Sequence, residues 1–216
     1  MQKRRIKETA AEIISTDSVG TFAQFLNDRK IAKKYWPLII VDIIDSKGIK
    51  DRSSIYSMIK DNINDLLADG ESFGQLLNKL QYDGYGFLKI QETLLLQDVD
   101  SRKLKCVYKE MRTSKDASIR ESCATILSII GRREPDYLFQ EIKNSAPVTI
   151  EKVIFLKALS MACFRPFRNV NFSLTRQIFN FVTKSIYETE EIAYYACLVA
   201  IRLMDLDKTF YHFIKS

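Results

Sequence analysis

The side chains with the clearest capacity for nucleophilic or metal chemistry are one histidine, His212, and four cysteines, Cys106, Cys123, Cys163 and Cys197. A Ser-His-Asp or Cys-His device needs its imidazole held beside a nucleophile. His212 instead stands between Tyr211 and Phe213, in what reads as a last amphipathic helix. A Cys/His zinc site needs ligands at short paired spacings. Here the cysteines are 17, 40 and 34 residues apart, with no Cys-x-x-Cys pair. Cys123, Cys163 and Cys197 fall in apolar runs, where a free thiol packs as a small hydrophobe. The expectation is a chain with no catalytic residue, no metal ligand and no cofactor, and not an enzyme.

Two acidic pairs, Asp42/Asp45 and Asp61/Asp65, have the spacing that puts both carboxylates on one helical face. Such faces are commonly just solvated. Gly84-Tyr85-Gly86 lacks the third glycine of a dinucleotide loop and the Lys-Ser/Thr of a phosphate loop, and reads as a turn. The basic clusters say more. Lys3, Arg4, Arg5 and Lys7 open the sequence; Arg29, Lys30, Lys33 and Lys34 lie beside Tyr35 and Trp36; Arg132 and Arg133 fall in a connection between helices. The longest irregular connection is Phe164-Arg165-Pro166-Phe167-Arg168-Asn169-Val170-Asn171-Phe172. Guanidinium groups grip phosphate or carboxylate in pairs, and interleaved aromatics stack on bases or anchor a peptide. The competing expectation is that the phenylalanines fold back onto the adjoining helices while the arginines stay in water. The residues singled out for partner binding are Arg165, Phe167, Arg168, Arg132, Arg133 and Trp36.

The elements that position these residues are predicted to be helices. Of the 216 residues 46% are apolar, enough for a sizeable core, while the 7 glycines and 4 prolines are too few for a turn-rich β fold. Apolar steps of three and four mark helices from residue 2 onward. Pro37 should kink the run from Ile31 to Asp45 or mark its true start. Ile55, Met58, Ile59, Ile63, Leu66 and Leu67 form one face of a helix closed by Asp69-Gly70. In the second half, helices are expected at about 100–112, 116–130, 136–144, 148–163, 173–186, 189–204 and 207–215. Asp100, Asp116, Ser173 and Asp207 stand at the cap positions.

Three of these helices are strongly apolar. Aligning them on Ala124, Ala158 and Ala196 gives steps of 34 and 38 residues. The partner helices start near 100, 135, 173 and 207. Such a period is produced by stacked helix pairs, because one amphipathic pair cannot hide its apolar stripe alone. Asp116-Ala117-Ser118-Ile119-Arg120, followed by Ser122-Cys123-Ala124 and Ile126-Leu127, resembles the HEAT-like helical repeats. In that family an Asp before the inner helix and a basic residue four positions later form a recurring ladder. Asp116 and Arg120 fit it. Thr149 and Lys152 stand in roughly those places in the next helix, and Glu188 and Ile192 in the last. The resemblance covers about residues 84–216. It implies an all-α superhelix of antiparallel pairs, binding proteins or nucleic acids on an extended face. Residues 1–82 read as a helical N-terminal segment, a divergent set of repeats or a cap, and 83–216 as the repeats.

The 33 Lys and Arg against 27 Asp and Glu leave a net charge of +6, which suits an acidic partner. The first expectation is a cytoplasmic, non-catalytic scaffold for a protein or peptide partner. The alternatives are a basic nucleic-acid binder of the same architecture, with a DNA-repair glycosylase as its enzymatic version, and the cytosolic domain of a membrane-tethered protein with Lys3–Lys7 near the bilayer. No small-molecule substrate is indicated.

Overall fold

A computed structural model describes residues 2–16, 18–46, 52–81, 84–96, 99–144, 149–162 and 172–206. Among them the fold is all-α, with no strand. The helices are α1 (Gln2–Ser15), α2 (Phe22–Asp28), α3 (Trp36–Asp45), α4 (Arg52–Asp61), α5 (Ile63–Leu66), α6 (Gly70–Leu80), α7 (Gly84–Leu96), α8 (Ser101–Arg112), α9 (Ala117–Arg133), α10 (Pro135–Asn144), α11 (Thr149–Ala162), α12 (Phe172–Ser185) and α13 (Glu190–Leu206). Two 3-10 turns, Ser18–Thr21 and Lys33–Tyr35, precede α2 and α3. No described helix is long and apolar enough to cross a membrane. The chain divides into two compact units, Met1–Ser122 and Cys123–Ser216.

Local chemistry sets several helix starts. Asp100 accepts the N–H of Arg102, and Asp116 accepts that of Ser118, each at 2.8 Å, so both carboxylates satisfy donors that a first helical turn leaves open. Pro37 lies in the first turn of α3, where its missing N–H costs little. It marks the true start of that helix. Pro135 opens α10 in the same way.

Several sequence expectations need correction. The single helix expected over 53–69 is broken at Asn62, whose side-chain amide donates to the Met58 carbonyl at 2.8 Å and competes with the backbone ladder there. Asp61 and Asp65 therefore lie on different helices, α4 and α5. Asp69 does not end a helix: it caps α6, accepting from the Ser72 N–H at 2.8 Å. Gly84-Tyr85-Gly86 is the first turn of α7 and not a loop. Helix α9 runs on through Arg132 and Arg133, which are helical residues and not a connection.

In the first unit α1 packs on α3, α3 on α6 and α6 on α8, while α4 packs on α7. These contacts bury the i, i+3, i+4 faces: Ile39, Ile40 and Ile43 of α3, Phe73, Leu76 and Leu77 of α6, and Leu104, Tyr108 and Met111 of α8. Each such large side chain removed from water stabilises the fold by roughly 1.5–3 kcal/mol. Phe22 and Trp36 meet edge to face, with ring centroids 5.7 Å apart.

In the second unit α13 packs against both α11 and α12, and α10 against α12. Helix α11 is buried without a break from Val153 to Ser160, so it has no solvent face over two turns. Lys157 lies in that stretch. Its ammonium sits over the Tyr195 ring, 4.8 Å from the centroid, which offsets part of the cost of its burial. Helix α13, one of the three strongly apolar runs, is not covered on every face. Tyr194 is 60% exposed and Ile201 53%. Cys197 lies on this same exposed face, so the core role expected for it does not hold. Cys123 is buried as expected.

Candidate functional site

The candidate site starts from the end of α2. The N–H of Ile31 reaches back to the Leu26 carbonyl, and that of Lys30 to the Asn27 carbonyl, each at 2.9 Å. This paired closure satisfies two carbonyls that a helix end leaves open, and it requires the residue after the cap to turn left-handed. Glycine usually fills that position. Here it is Lys30, at φ 54, the only non-glycine residue with positive φ among the described residues. A side chain there costs on the order of 1 kcal/mol. The turn is fixed to the core by the Trp36 indole N–H, which donates to the Ile31 carbonyl at 3.0 Å.

The turn faces α1. Arg5 donates to the Arg29 carbonyl at 3.2 Å, closing α1 against it. Between them lies a cleft of about 150 Å³ lined by Arg5, Ile6 and Thr9 of α1, Lys30, Ile31 and Ala32 of the turn, Tyr35, and Ile39 of α3. Its floor is aliphatic. Its rim carries two exposed cations, Arg5 and Lys30. The fold thus brings together two basic clusters that lie 24 residues apart in sequence.

Four other cations of these clusters have a partner. Arg4 pairs with Glu8 at 2.7 Å and Arg29 with Glu12. Lys33 pairs with Asp65 at 2.7 Å. The Arg29 guanidinium also lies over the Phe25 ring, Lys33 over Trp36 and Lys34 over Tyr35, at 5.3, 5.8 and 5.0 Å from the centroids. Lys30 has no ion pair among the described residues. Lys3, Lys7 and Lys34 are exposed as well, so the cleft mouth is where the two clusters converge and not their only exposed charge. A second groove, of about 600 Å³ between α2 and α4, is lined by polar residues such as Gln24, Ser57 and Asp61, with no Lys or Arg.

The residues singled out by sequence fare differently. Trp36 is fully buried. A partner has nothing of it to touch, and the contact role expected for it is corrected to a core role. Arg132 is half-buried and donates to the Met161 carbonyl, its Nε at 3.2 Å; Arg202 of α13 donates to the Ser160 carbonyl. Two guanidinium groups thus meet the negative end of α11. Burial holds the Arg132 guanidinium below its ordinary pKa, and the charge of Arg202 pushes the same way. Arg133, on the same last turn of α9, is also half-buried. Arg165, Phe167 and Arg168 lie outside the described residues, as do Cys163, His212 and the helix expected at 207–215.

The acidic pairs are tied to cations: Asp45 to Lys79, and Asp65 to Lys33. Arg120 does not bond Asp116; its guanidinium donates to the Ser114 and Lys115 carbonyls at 2.7 and 2.9 Å. Lys152, however, donates to both carboxylate oxygens of Glu188, at 2.7 and 2.8 Å.

No family model, curated protein or solved structure matches the chain.

Proposed function

We propose that this chain is a non-catalytic scaffold built of stacked helical pairs, similar to HEAT-like repeats, that holds a protein or peptide partner. The observation that carries this reading is the order of packing in the first unit. Helices α1, α3, α6 and α8 lie side by side in chain order, and they begin at residues 2, 36, 70 and 101, so 34, 34 and 31 residues apart. A step of that size, repeated between neighbours, is what one helical pair per repeat would give. Side-chain bonds span somewhat longer intervals. Lys152 and Glu188, at ladder positions of successive repeats, lie 36 residues apart. Asn78 and Ser118 lie 40 apart and bond at 3.1 Å. On this reading the first 80 residues are divergent repeats and not a separate cap. The free thiols Cys106, Cys123 and Cys197 fit work in a reducing compartment such as the cytosol.

The test is selection of a displayed peptide library on the full chain, beside titration with duplex DNA and RNA at two salt concentrations. Enriched peptides that bind in solution with one-to-one stoichiometry are the expected result. Nucleic-acid binding that weakens steeply with salt, with no peptide enriched, would overturn the reading in favour of a polyanion binder.

A further inference from the structure

We infer that the cleft between α1 and the turn after α2 is the peptide-recognition site of this scaffold, and that its ligand is an acidic peptide carrying an aliphatic side chain. The inference rests on the scaffold reading above and deepens it. One carboxylate of the ligand meets the Arg5 guanidinium and the Lys30 ammonium at the rim, while a neighbouring Leu, Ile or Val side chain enters the cleft against Ile6, Ile31 and Ile39.

Three observations converge on that chemistry. The first is the lining: an aliphatic floor with cations only at the mouth suits a ligand that is apolar at one end and anionic at the other. A volume of about 150 Å³ accommodates one aliphatic side chain and no stack of bases.

The second is the distribution of charge around the cleft. Glu8, Glu12 and Asp65 already neutralise Arg4, Arg29 and Lys33. A nucleic acid or an anionic bilayer is held by many phosphates along a basic surface. Here the two cations at the cleft mouth, Arg5 and Lys30, converge on a space that takes one carboxylate, and a guanidinium grips that group with two parallel N–H donors.

The third is Lys30 itself. A position that closes α2 at no strain with glycine instead holds a bulky cation in the left-handed region. Strain kept at a binding rim is a common mark of function. It also makes the proposal separable from stability. Replacing Lys30 with glycine removes the cation and relieves the backbone together, so binding and folding should move in opposite directions.

The experiment uses the full chain and three fluorescent probes: a short peptide of Glu-Leu repeats, the same peptide with Gln for Glu, and the same peptide with Ser for Leu. A single-stranded oligonucleotide and phosphatidylserine vesicles are measured alongside. The Glu-Leu peptide is expected to bind, and each control to bind about tenfold more weakly or worse. Lys30→Gly should weaken the Glu-Leu peptide by about tenfold while raising the thermal midpoint, and Arg5→Gln should weaken it by a similar factor. Equal binding of the Glu and Gln peptides, or binding untouched by Lys30→Gly and Arg5→Gln, overturns the inference. So does tighter, Lys30-dependent binding of the oligonucleotide or the vesicles. Library-selected peptides that bind independently of Arg5 and Lys30 would sink this site and leave the scaffold reading standing. Failure of both the Glu-Leu peptide and the library would sink both.

Discussion

The backbone N–H of Gly70 donates to the carboxylate of Glu110 at 2.6 Å, tying the first turn of α6 to the last turn of α8. The approach is so close that a Cβ on residue 70 would lie 2.8 Å from both the Glu110 Cβ and the Val107 carbonyl oxygen. Neither atom can swing aside, because one is backbone and the other sits at the root of its side chain. Gly70→Ala must therefore push the two helices apart. A cost of about 1–3 kcal/mol is expected, as for other overpacked sites. Gly131 is also close-packed, but the nearest atom to its Cβ position is the mobile Leu138 Cδ2. There the better helix propensity of alanine, worth up to about 1 kcal/mol, offsets the crowding. Urea unfolding of both variants checks the ranking. A Gly131→Ala loss larger than that of Gly70→Ala would contradict this packing.

Burial raises the pKa of the Asp42 carboxyl above its ordinary value. Lys7 opposes this, Asp45 reinforces it, and Lys3 opposes it more weakly. The fold thus favours the protonated form. The stabilising contribution is present below the unfolded-state value and is lost as pH rises through the folded-state value. Asp42→Asn, which mimics the protonated carboxyl, should raise the thermal midpoint near pH 7 and change little near pH 3. A variant that is less stable than wild type at pH 7 would show that the attraction of Lys7 and Lys3 outweighs burial.

How far the sequence could be read depended on the range of the interaction. Asp100 and Asp116 were legible as caps, because a cap acts within three residues of itself. Pro37 was legible as a helix start for the same reason. Asn62 was not: the apolar steps run unbroken from Ile55 to Leu67, and the break comes from a side-chain amide reaching the Met58 carbonyl. The face of α13 was misread because a run such as Tyr194-Tyr195-Ala196-Cys197 gives apolar content without direction. Only packing shows that Tyr194, Cys197 and Ile201 face outward. The cleft was the least legible feature. Arg5 and Lys30 were each visible as members of basic clusters, but what brings them together is the packing of α1 on α3. One local signal was there to find: Leu26 and Ile31 flank Lys30 at the spacing of the paired helix closure, which singles out Lys30 from the lysines around it.

Asp116 shows the opposite pH behaviour to Asp42. Its carboxylate accepts the Ser118 hydroxyl at 2.7 Å and the Ser118 N–H at 2.8 Å, and these bonds, the hydroxyl first, hold its pKa below the ordinary value. A lowered folded-state pKa means stability present above the unfolded-state value of about 3.9 and lost as pH falls through the folded-state value. Asp116→Asn keeps an acceptor at the cap and removes this acid sensitivity. Asp116→Ala loses the cap at every pH. Thermal midpoints from pH 7 down to pH 2 separate the two. Identical profiles for the Asn and Ala variants would mean that the cap does not hold α9.

The Lys152–Glu188 pair joins α11 to the turn that precedes α13, and both side chains are more than two-thirds buried. Three features raise it above an ordinary surface pair: both carboxylate oxygens are engaged, water has limited access, and the neighbouring stretch of α11 is buried from Val153 to Ser160. Exposed pairs contribute about 0.2–1 kcal/mol, and this one is expected near the upper end of that range. A double-mutant cycle with Lys152→Met and Glu188→Gln isolates the coupling from the loss of each side chain's own packing. The coupling should shrink when salt is raised toward 1 M, because the pair keeps some contact with water. Strong coupling that is insensitive to salt would mean that the pair acts through packing and not through charge. A coupling of zero would mean that the turn before α13 is held without the charge pair, by its backbone hydrogen bonds and the burial of Ile192 and Ala196.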